Sequence, residues 1–484
     1  MDAPVVLINS NRMTPPIAPL GLEYTAEAAR RSGCRVEIVD LALAEDPAAE
    51  LERAFRHQQP RLAGVSFRNA DDCFWPSGQS FVPQLESLLQ QVRGLTDAPI
   101  VLGGVGFSIF AEAIMRQTGV EFGIRGDGEA ALPLLARAVG SGSGLEQVPG
   151  LIWRERGGLR SNRPAWPEVF DVPTDRKAID NPAYFRRGGQ IGLETKRGCD
   201  RACIYCADRL AKGMATRLRP PADVADEVES LLAQGIDVLH LCDAEFNIPG
   251  GHAREVCDEL LTRKLGGRVR WYAYLAVVPF DDALARRMAA AGCVGINFTG
   301  DSASAAMLAN YRQPHRAEDL AAAVRLCRRY RIAVMLDLLL GGPGETPETV
   351  AETIRFVEAI EPDCAGAALG VRIYPGTPMA ELVARRRWLA REDGIRRHYS
   401  GPLDLLRPTF YISPDLGDNP AALVRDLVGG NPLFFPPEEE SAPGARPEGE
   451  RDDHNYSDNA ALVEAIAAGA RGAYWHILHR LRSA

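Results

Sequence analysis

Three cysteines in one short loop, Cys199, Cys203 and Cys206, constrain this chain more than any other feature. They stand C-x3-C-x2-C within Lys196-Arg197-Gly198-Cys199-Asp200-Arg201-Ala202-Cys203-Ile204-Tyr205-Cys206, directly after the strand-like run 190–195. The fold must turn at the end of that strand and aim three thiols at one place. Soft thiolate sulfur matches iron, and three such ligands can hold three irons of a [4Fe–4S] cluster. A fully protein-bound cluster uses four cysteines. No fourth stands nearby, so one iron stays open to another ligand, which points to chemistry at the cluster rather than electron storage. A structural zinc site takes C-x2-C pairs with a distant second pair, and the chain shows no such pair. Three buried small residues would be out of place in a loop of Gly, Asp, Arg and Lys.

Around this loop the chain alternates strand-like and helix-like segments in two blocks. In residues 1–140 short apolar runs begin at Val5, Arg35, Leu62 and Pro99, with helical patterns between them such as 20–32 and 81–94. That order predicts an α/β fold with a doubly wound parallel, Rossmann-like sheet whose ligand lies at the carboxyl ends of the strands. The loops expected there are Ser66-Phe67-Arg68-Asn69, Gly103-Gly104-Val105-Gly106 and Gly126-Asp127-Gly128. Glycine lets backbone approach a large flat ligand closely, although a glycine-rich turn of any such fold reads the same way. No G-x-G-x-x-G follows the first strand, which disfavours a dinucleotide. Residues 141–188 read as a linker with a hairpin around Gly157-Gly158, followed by prolines at 164, 167, 173 and 182.

From 189 to 385 the alternation resumes. Strand-like runs at 190–195, 237–242, 270–276, 294–299, 332–340 and 367–374 predict a (β/α)6 partial TIM barrel with its site at the carboxyl ends of the strands. The cysteine loop follows the first of them. Residues 386–484 read as a C-terminal mixed and helical cap that closes the barrel and shapes a substrate pocket. Within it the acidic, Pro- and Gly-rich stretch Glu438–Glu450 is expected to be flexible. Candidate substrate residues are Tyr411, Asp453, His454, Asn455, Tyr456, Trp475 and His476. No second cysteine cluster is present. The other cysteines read mostly as buried small residues, with Cys73 and Cys242 in loops near the inferred ligands.

The C-x3-C-x2-C loop with its aromatic Tyr205 resembles that of radical S-adenosylmethionine (SAM) enzymes, and the N-terminal block resembles the cobalamin-binding domain of their B12-dependent subfamily. The resemblance spans residues 1 to about 385. It implies that the open iron chelates SAM and that Tyr205 lies near the adenine. It assigns Glu245 to the SAM ammonium, Asp301 to the ribose, and Gly342 and Tyr374 to the walls of the SAM site. It places Ser66, Asn69, Gly103, Gly104, Gly106, Gly126 and Gly128 around cobalamin. The cobalamin signature Asp-x-His-x-x-Gly is absent, so no histidine of the first loop ligates cobalt. Arg68 is expected either at the lower cobalt face, where a guanidinium cannot donate a lone pair and would favour lower-coordinate, more reduced cobalt, or as a surface or phosphate contact.

The activity implied is reductive SAM cleavage to a 5′-deoxyadenosyl radical, hydrogen abstraction from an unactivated carbon, and transfer of a methyl group carried by cobalamin from a second SAM. The expected enzyme is therefore a C-methyltransferase acting on a natural-product intermediate. Its cofactors are a [4Fe–4S] cluster, SAM and cobalamin, and its partners a small-molecule substrate and a flavodoxin- or ferredoxin-type electron donor. Two other outcomes stand beside it: cyclisation or ring rearrangement without methyl transfer, and polar methylation of an sp2 carbon. A cobalamin-binding sensor with a structural cluster would show no SAM cleavage at all. A net charge of -9 argues against nucleic acid and anionic membrane. No apolar run reaches the roughly 20 residues that span a bilayer. Ten cysteines over 484 residues form no disulfide framework. With no signal-peptide pattern at the N-terminus, a reduced cytoplasm is expected.

Overall fold

Apolar runs too short for helices, bounded by turn residues, become strands. A computed structural model of the chain describes residues 3–56, 59–168, 170–385, 394–439 and 453–483. The first sheet contains β1 (Val5–Asn9), β2 (Val36–Asp40), β3 (Leu62–Ser66), β4 (Ile100–Gly103), β5 (Phe122–Ile124), β6 (Leu151–Glu155) and β7 (Gly158–Ser161), in the order β2-β1-β3-β4-β5-β6-β7. All five residues of β1 are buried, as a central parallel strand covered by helices on both faces requires. The pairs through β5 are parallel, as expected from the alternation. The hairpin expected at Gly157-Gly158 forms, and it adds β6 and β7 antiparallel to the edge of this sheet.

The second sheet is parallel throughout. It contains β8 (Ile191–Leu193), β9 (Val238–Leu241), β10 (Arg270–Leu275), β11 (Cys293–Asp301), β12 (Ala333–Leu340), β13 (Cys364–Leu369) and β14 (Phe434–Phe435), in chain order across the sheet. Six strands were expected, and the C-terminal region supplies a seventh at the open edge. The sixth strand starts three residues earlier than the run 367–374. After Gly370 (φ 91°) the chain leaves the barrel, and Val371–Arg372 pairs antiparallel with Phe410–Tyr411. The turn at Gly370 ends the strand, although the apolar pattern runs on.

Strand alternation sorts the barrel residues by face. Outward positions such as Leu239, Trp271, Phe298 and Leu336 join the core under the helices. Inward positions divide by height. Near the amino ends, Val238, Tyr272, Met335 and Cys364 pack against Trp475, Ile477 and Leu478 of the C-terminal helix Tyr474–Arg482. The C-terminal helix thus plugs the floor of the barrel from inside. The acidic stretch expected to be flexible lies, from residue 440 on, outside the described residues. No helix among the described residues is long and apolar enough to cross a membrane.

Buried charge joins the two sheets. Arg176, 1% exposed, donates from Nε to Glu23 of the first module and from Nη1 to Glu227 of the second, each at 2.6 Å, and Arg219 also reaches Glu227. Breaking such a group by removing one partner leaves an uncompensated buried charge. Arg176→Met is expected to destabilise the protein by about 3–5 kcal/mol. A fall in the urea unfolding midpoint checks this, and an unchanged midpoint would contradict it.

Candidate functional site

The cysteine loop leaves the carboxyl end of β8 at the mouth of the barrel. Its stem is fixed by charge from the first module. Arg197 donates to Asp127 and Glu129 at 3.0 Å each and to Glu194 at 2.7 Å, and Arg217 contacts Asp127. The loop Gly126–Glu129 therefore docks the cysteine loop. At Gly126 a side chain would run into Trp166, and at Gly128 into Thr25, so packing within the chain accounts for both glycines.

Burial pushes the Cys203 thiol up to about 12, with the Asp301 carboxylate beside it, and also raises Cys199 and Cys206. Thiols of this kind ionise only when a metal replaces the proton. Among the described residues, no three such side chains converge as a single-ion site would need. The wider separation of thiolates around a four-iron cluster suits the loop better.

Behind Cys203 lies a polar network. Tyr205 donates its hydroxyl to Asp301 at 2.6 Å. Gln313 donates to Asp301, to Tyr205 at 3.0 Å and to Cys203 Sγ at 3.5 Å. The register between β11 and β12 slips between Thr299 and Asp301, where Asp301 takes φ 52°. A bulge of this kind re-aims a side chain. Here it brings the carboxylate to Tyr205, and burial raises Asp301 to about 7. Across the mouth, Glu245 accepts from Thr299 at 3.0 Å through Oε1, while its buried Oε2 has no hydrogen-bond partner. Burial raises its carboxyl to about 7. A half-occupied carboxylate at this depth can take a cationic amine.

A cavity of about 290 Å³ lies between the modules, and Tyr205, Thr299, Asp301, Asp337, Tyr374 and His454 are among the residues lining it. Tyr374 Oη is 2.9 Å from Cys73 Sγ, and Cys73 holds φ 62° in the loop after β3. Arg372 joins the same loop through Asp71 at 2.7 Å. Gly342 stands apart from the cavity wall, because Tyr311 fills the place of its side chain. Glu345 accepts from the Gly341 amide at 2.9 Å and from Thr349.

On the first module, Ser66, Arg68, Asn69, Gly103 and Gly104 gather at the carboxyl ends of β3 and β4. Gly104 (φ 101°) and Gly106 press against the backbone of 67–70, with no room for a side chain. Gly103 opens onto free space, and the next helix begins with Val105, an apolar residue 37% exposed. Open space beside an exposed apolar residue at strand ends suits a bulky, partly apolar ligand. Arg68 donates to Asn69 at 3.2 Å, and its positive charge acts across the gap on His240, which burial and that charge lower to about 4.

Of the C-terminal candidates, His454 reaches the cavity, and Asn455 holds Asp72 at 3.0 Å. Trp475 and His476 sit at the barrel floor against Tyr272, and Tyr411 lies in the small antiparallel sheet. Sequence reasoning missed Asp337 and His240. Each is a single polar residue at an inward position of an apolar strand, and that interruption is the signal that could have found it.

Comparison with known proteins places both modules. Residues 9–136 match the model of the B12 binding domain, and residues 193–357 that of the Radical SAM superfamily. A tryptophan 2-C-methyltransferase from Streptomyces laurentii is 29% identical over 97% of this chain and 95% of its own length. A solved structure of the radical SAM methyltransferase TsrM from Kitasatospora setae, with tryptophan and the SAM analogue aza-SAM bound, superposes with TM-score 0.89. It is 31% identical and covers 99% of this chain and 97% of its own. The cobalamin-dependent radical SAM enzyme OxsB shares the fold, with TM-score 0.71 at 17% identity over 85% of this chain and 64% of its own.

Proposed function

Because this chain belongs to the cobalamin-dependent radical SAM methyltransferases, we propose that it methylates an electron-rich sp2 carbon of a small natural-product precursor. The observation that carries this reading is the extent of the likeness to a methyltransferase holding tryptophan, which runs through the C-terminal cap as well as both cofactor modules. Carbon 2 of tryptophan is an sp2 carbon of an electron-rich ring, and such a carbon can accept a methyl group without hydrogen abstraction. The reading therefore favours polar methylation over the expected attack on an unactivated carbon.

The bound cluster and cobalamin supply electron-transfer and methyl-carrier chemistry that no side chain offers. The chain's own part is placement. In this proposal Cys199, Cys203 and Cys206 hold the cluster, Glu245 receives the SAM ammonium on Oε2, and Tyr205 and Asp301 border the nucleoside. Ser66, Asn69 and Gly103 border cobalamin. Arg68, a cation unable to ligate a metal, would border cobalamin beside Asn69. The cap fills the barrel floor below the cavity. A flavodoxin- or ferredoxin-type donor belongs to the proposal as the source of electrons.

Product analysis tests it. The cofactor-loaded enzyme is incubated with SAM and a panel of indoles headed by L-tryptophan. S-adenosylhomocysteine matching methylated product, without 5′-deoxyadenosine, is expected. Equal amounts of both nucleosides would restore hydrogen abstraction from an unactivated carbon. 5′-Deoxyadenosine alone would favour cyclisation or rearrangement.

A further inference from the structure

The upper half of the barrel holds a carboxylate with nothing bound to one oxygen. Asp337 stands at an inward position of β12, opposite Thr299 of β11. Asn297, 2% exposed, donates from Nδ2 to Asp337 Oδ2 at 2.8 Å. That bond fixes the amide orientation, since only the NH2 end can face a carboxylate. It also turns Asp337 Oδ1 away from Asn297. Oδ1 has no hydrogen-bond partner among the described residues. His454 Nε2 is its nearby basic group, at 3.5 Å, too long for a good hydrogen bond. His454 is 6% exposed, and its own Nδ1 is also without a hydrogen-bond partner. Asp337 and His454 both line the cavity between the modules.

Such a carboxylate calls for a cation with N–H donors. Among the described residues the lining supplies no free one. Arg372 is committed to Asp71 at 2.7 and 3.0 Å and to the carbonyls of Ile373 at 2.7 Å and Leu405 at 3.0 Å. Asp301, the other lining carboxylate, takes both Tyr205 and Gln313 on Oδ2. Glu245 has its own vacant oxygen, Oε2, while Thr299 holds Oε1. At the mouth two buried carboxylate oxygens, Glu245 Oε2 and Asp337 Oδ1, have no hydrogen-bond partner among the described residues, and the reading above uses the first for SAM.

We propose that Asp337, oriented by Asn297 and flanked by His454, seats a protonated primary amine of the methyl-accepting substrate. The inference rests on the proposed methyl transfer and narrows its substrate to amine-bearing compounds. An acylated amine, lacking the charge, is rejected at this position. His454 arrives from the cap, in a segment anchored through Asn455 to Asp72 of the first module. The amine site is therefore assembled from the barrel and the cap, held by the cobalamin module.

Equilibrium dialysis tests the proposal on the cobalamin- and cluster-loaded enzyme with S-adenosylhomocysteine present, so that the Glu245 site is filled. The probes are two amines, each paired with its uncharged methyl isostere: tryptamine with 3-propylindole, and phenethylamine with propylbenzene. At least one amine is expected to bind about tenfold or more tighter than its isostere. Asp337→Asn is expected to erase that ratio while leaving the isostere's affinity unchanged. Asn297→Leu, which keeps the charge and frees Oδ2, reduces the ratio and serves should the first variant fail to load its cofactors. No amine preference in any pair, or a preference that survives these substitutions, would overturn the site. The methyl-transfer reading is judged separately, by whether SAM methylates the bound cobalamin with no substrate present.

Discussion

Cys203→Ala is expected to reduce iron from about four per chain to a substoichiometric level and to bring SAM turnover down to background. The three cysteines provide all the protein thiolates in the proposed cluster, with one iron already left for SAM. Removing another ligand leaves two, too few to retain a four-iron cluster through purification. Cys203 is the middle ligand, and its sulfur lies 3.5 Å from Gln313 Nε2, which also bonds Asp301 and Tyr205. The loss should therefore disturb the polar network as well as the metal. Burial holds the metal-free thiol near 12, so it has no role as a thiolate without iron. Iron and sulfide assays beside SAM consumption check this. A variant that keeps four irons and turnover would remove Cys203 from the ligand set.

Glu245→Gln is expected to weaken SAM binding about 10- to 100-fold, the worth of one charge-assisted hydrogen bond to a cationic amine. The wild-type carboxyl is pushed up to about 7 by burial. In the SAM-free enzyme it is protonated below that pH and ionised above it. SAM affinity should thus fall as the pH drops through 7, by at most about tenfold per unit, while the glutamine variant stays flat.

Stability should move the other way. The folded value lies above the ordinary 4.5, so the native state holds an extra proton between the two. The stabilising contribution is full below 4.5 and lost as the pH rises through 7. Glutamine cannot ionise, so the SAM-free variant should be more stable than wild type at pH 8, on the order of 1–3 kcal/mol. Isothermal titration and urea unfolding across pH 6–8 read both effects. Tighter SAM binding by the variant, or equal stability at pH 8, would contradict the assignment.

Local features of the chain were legible because their physics is local. The cysteine spacing places the loop, and the alternation of apolar runs with helical patterns describes both sheets. The sixth barrel strand ends at Leu369, five residues before the end of the expected run, because the apolar pattern continues past Gly370, where the backbone turns away. The seventh strand, Phe434–Phe435, is two residues long, too short to register as periodicity. Asp337 was hidden inside the run Ala333–Leu340. Its significance depends on Asn297, forty positions earlier, and on His454, brought in by the cap. Contacts such as Asp71 with Arg372, 301 residues apart, leave no trace in spacing or composition. The same holds for Arg176, which reads as an ordinary linker arginine until Glu23 and Glu227 close on it from two modules.

The most direct test of the central claim needs no substrate. The enzyme, loaded anaerobically with cluster and cobalamin and reduced, is given SAM carrying a trideuterated methyl group, and the corrinoid is extracted and weighed by mass spectrometry. Close to one equivalent of trideuteromethyl-cobalamin with one S-adenosylhomocysteine per chain is the predicted result. Bound cobalamin that stays unlabelled while SAM is cleaved to 5′-deoxyadenosine would contradict a methyltransferase and leave the cofactor in another role.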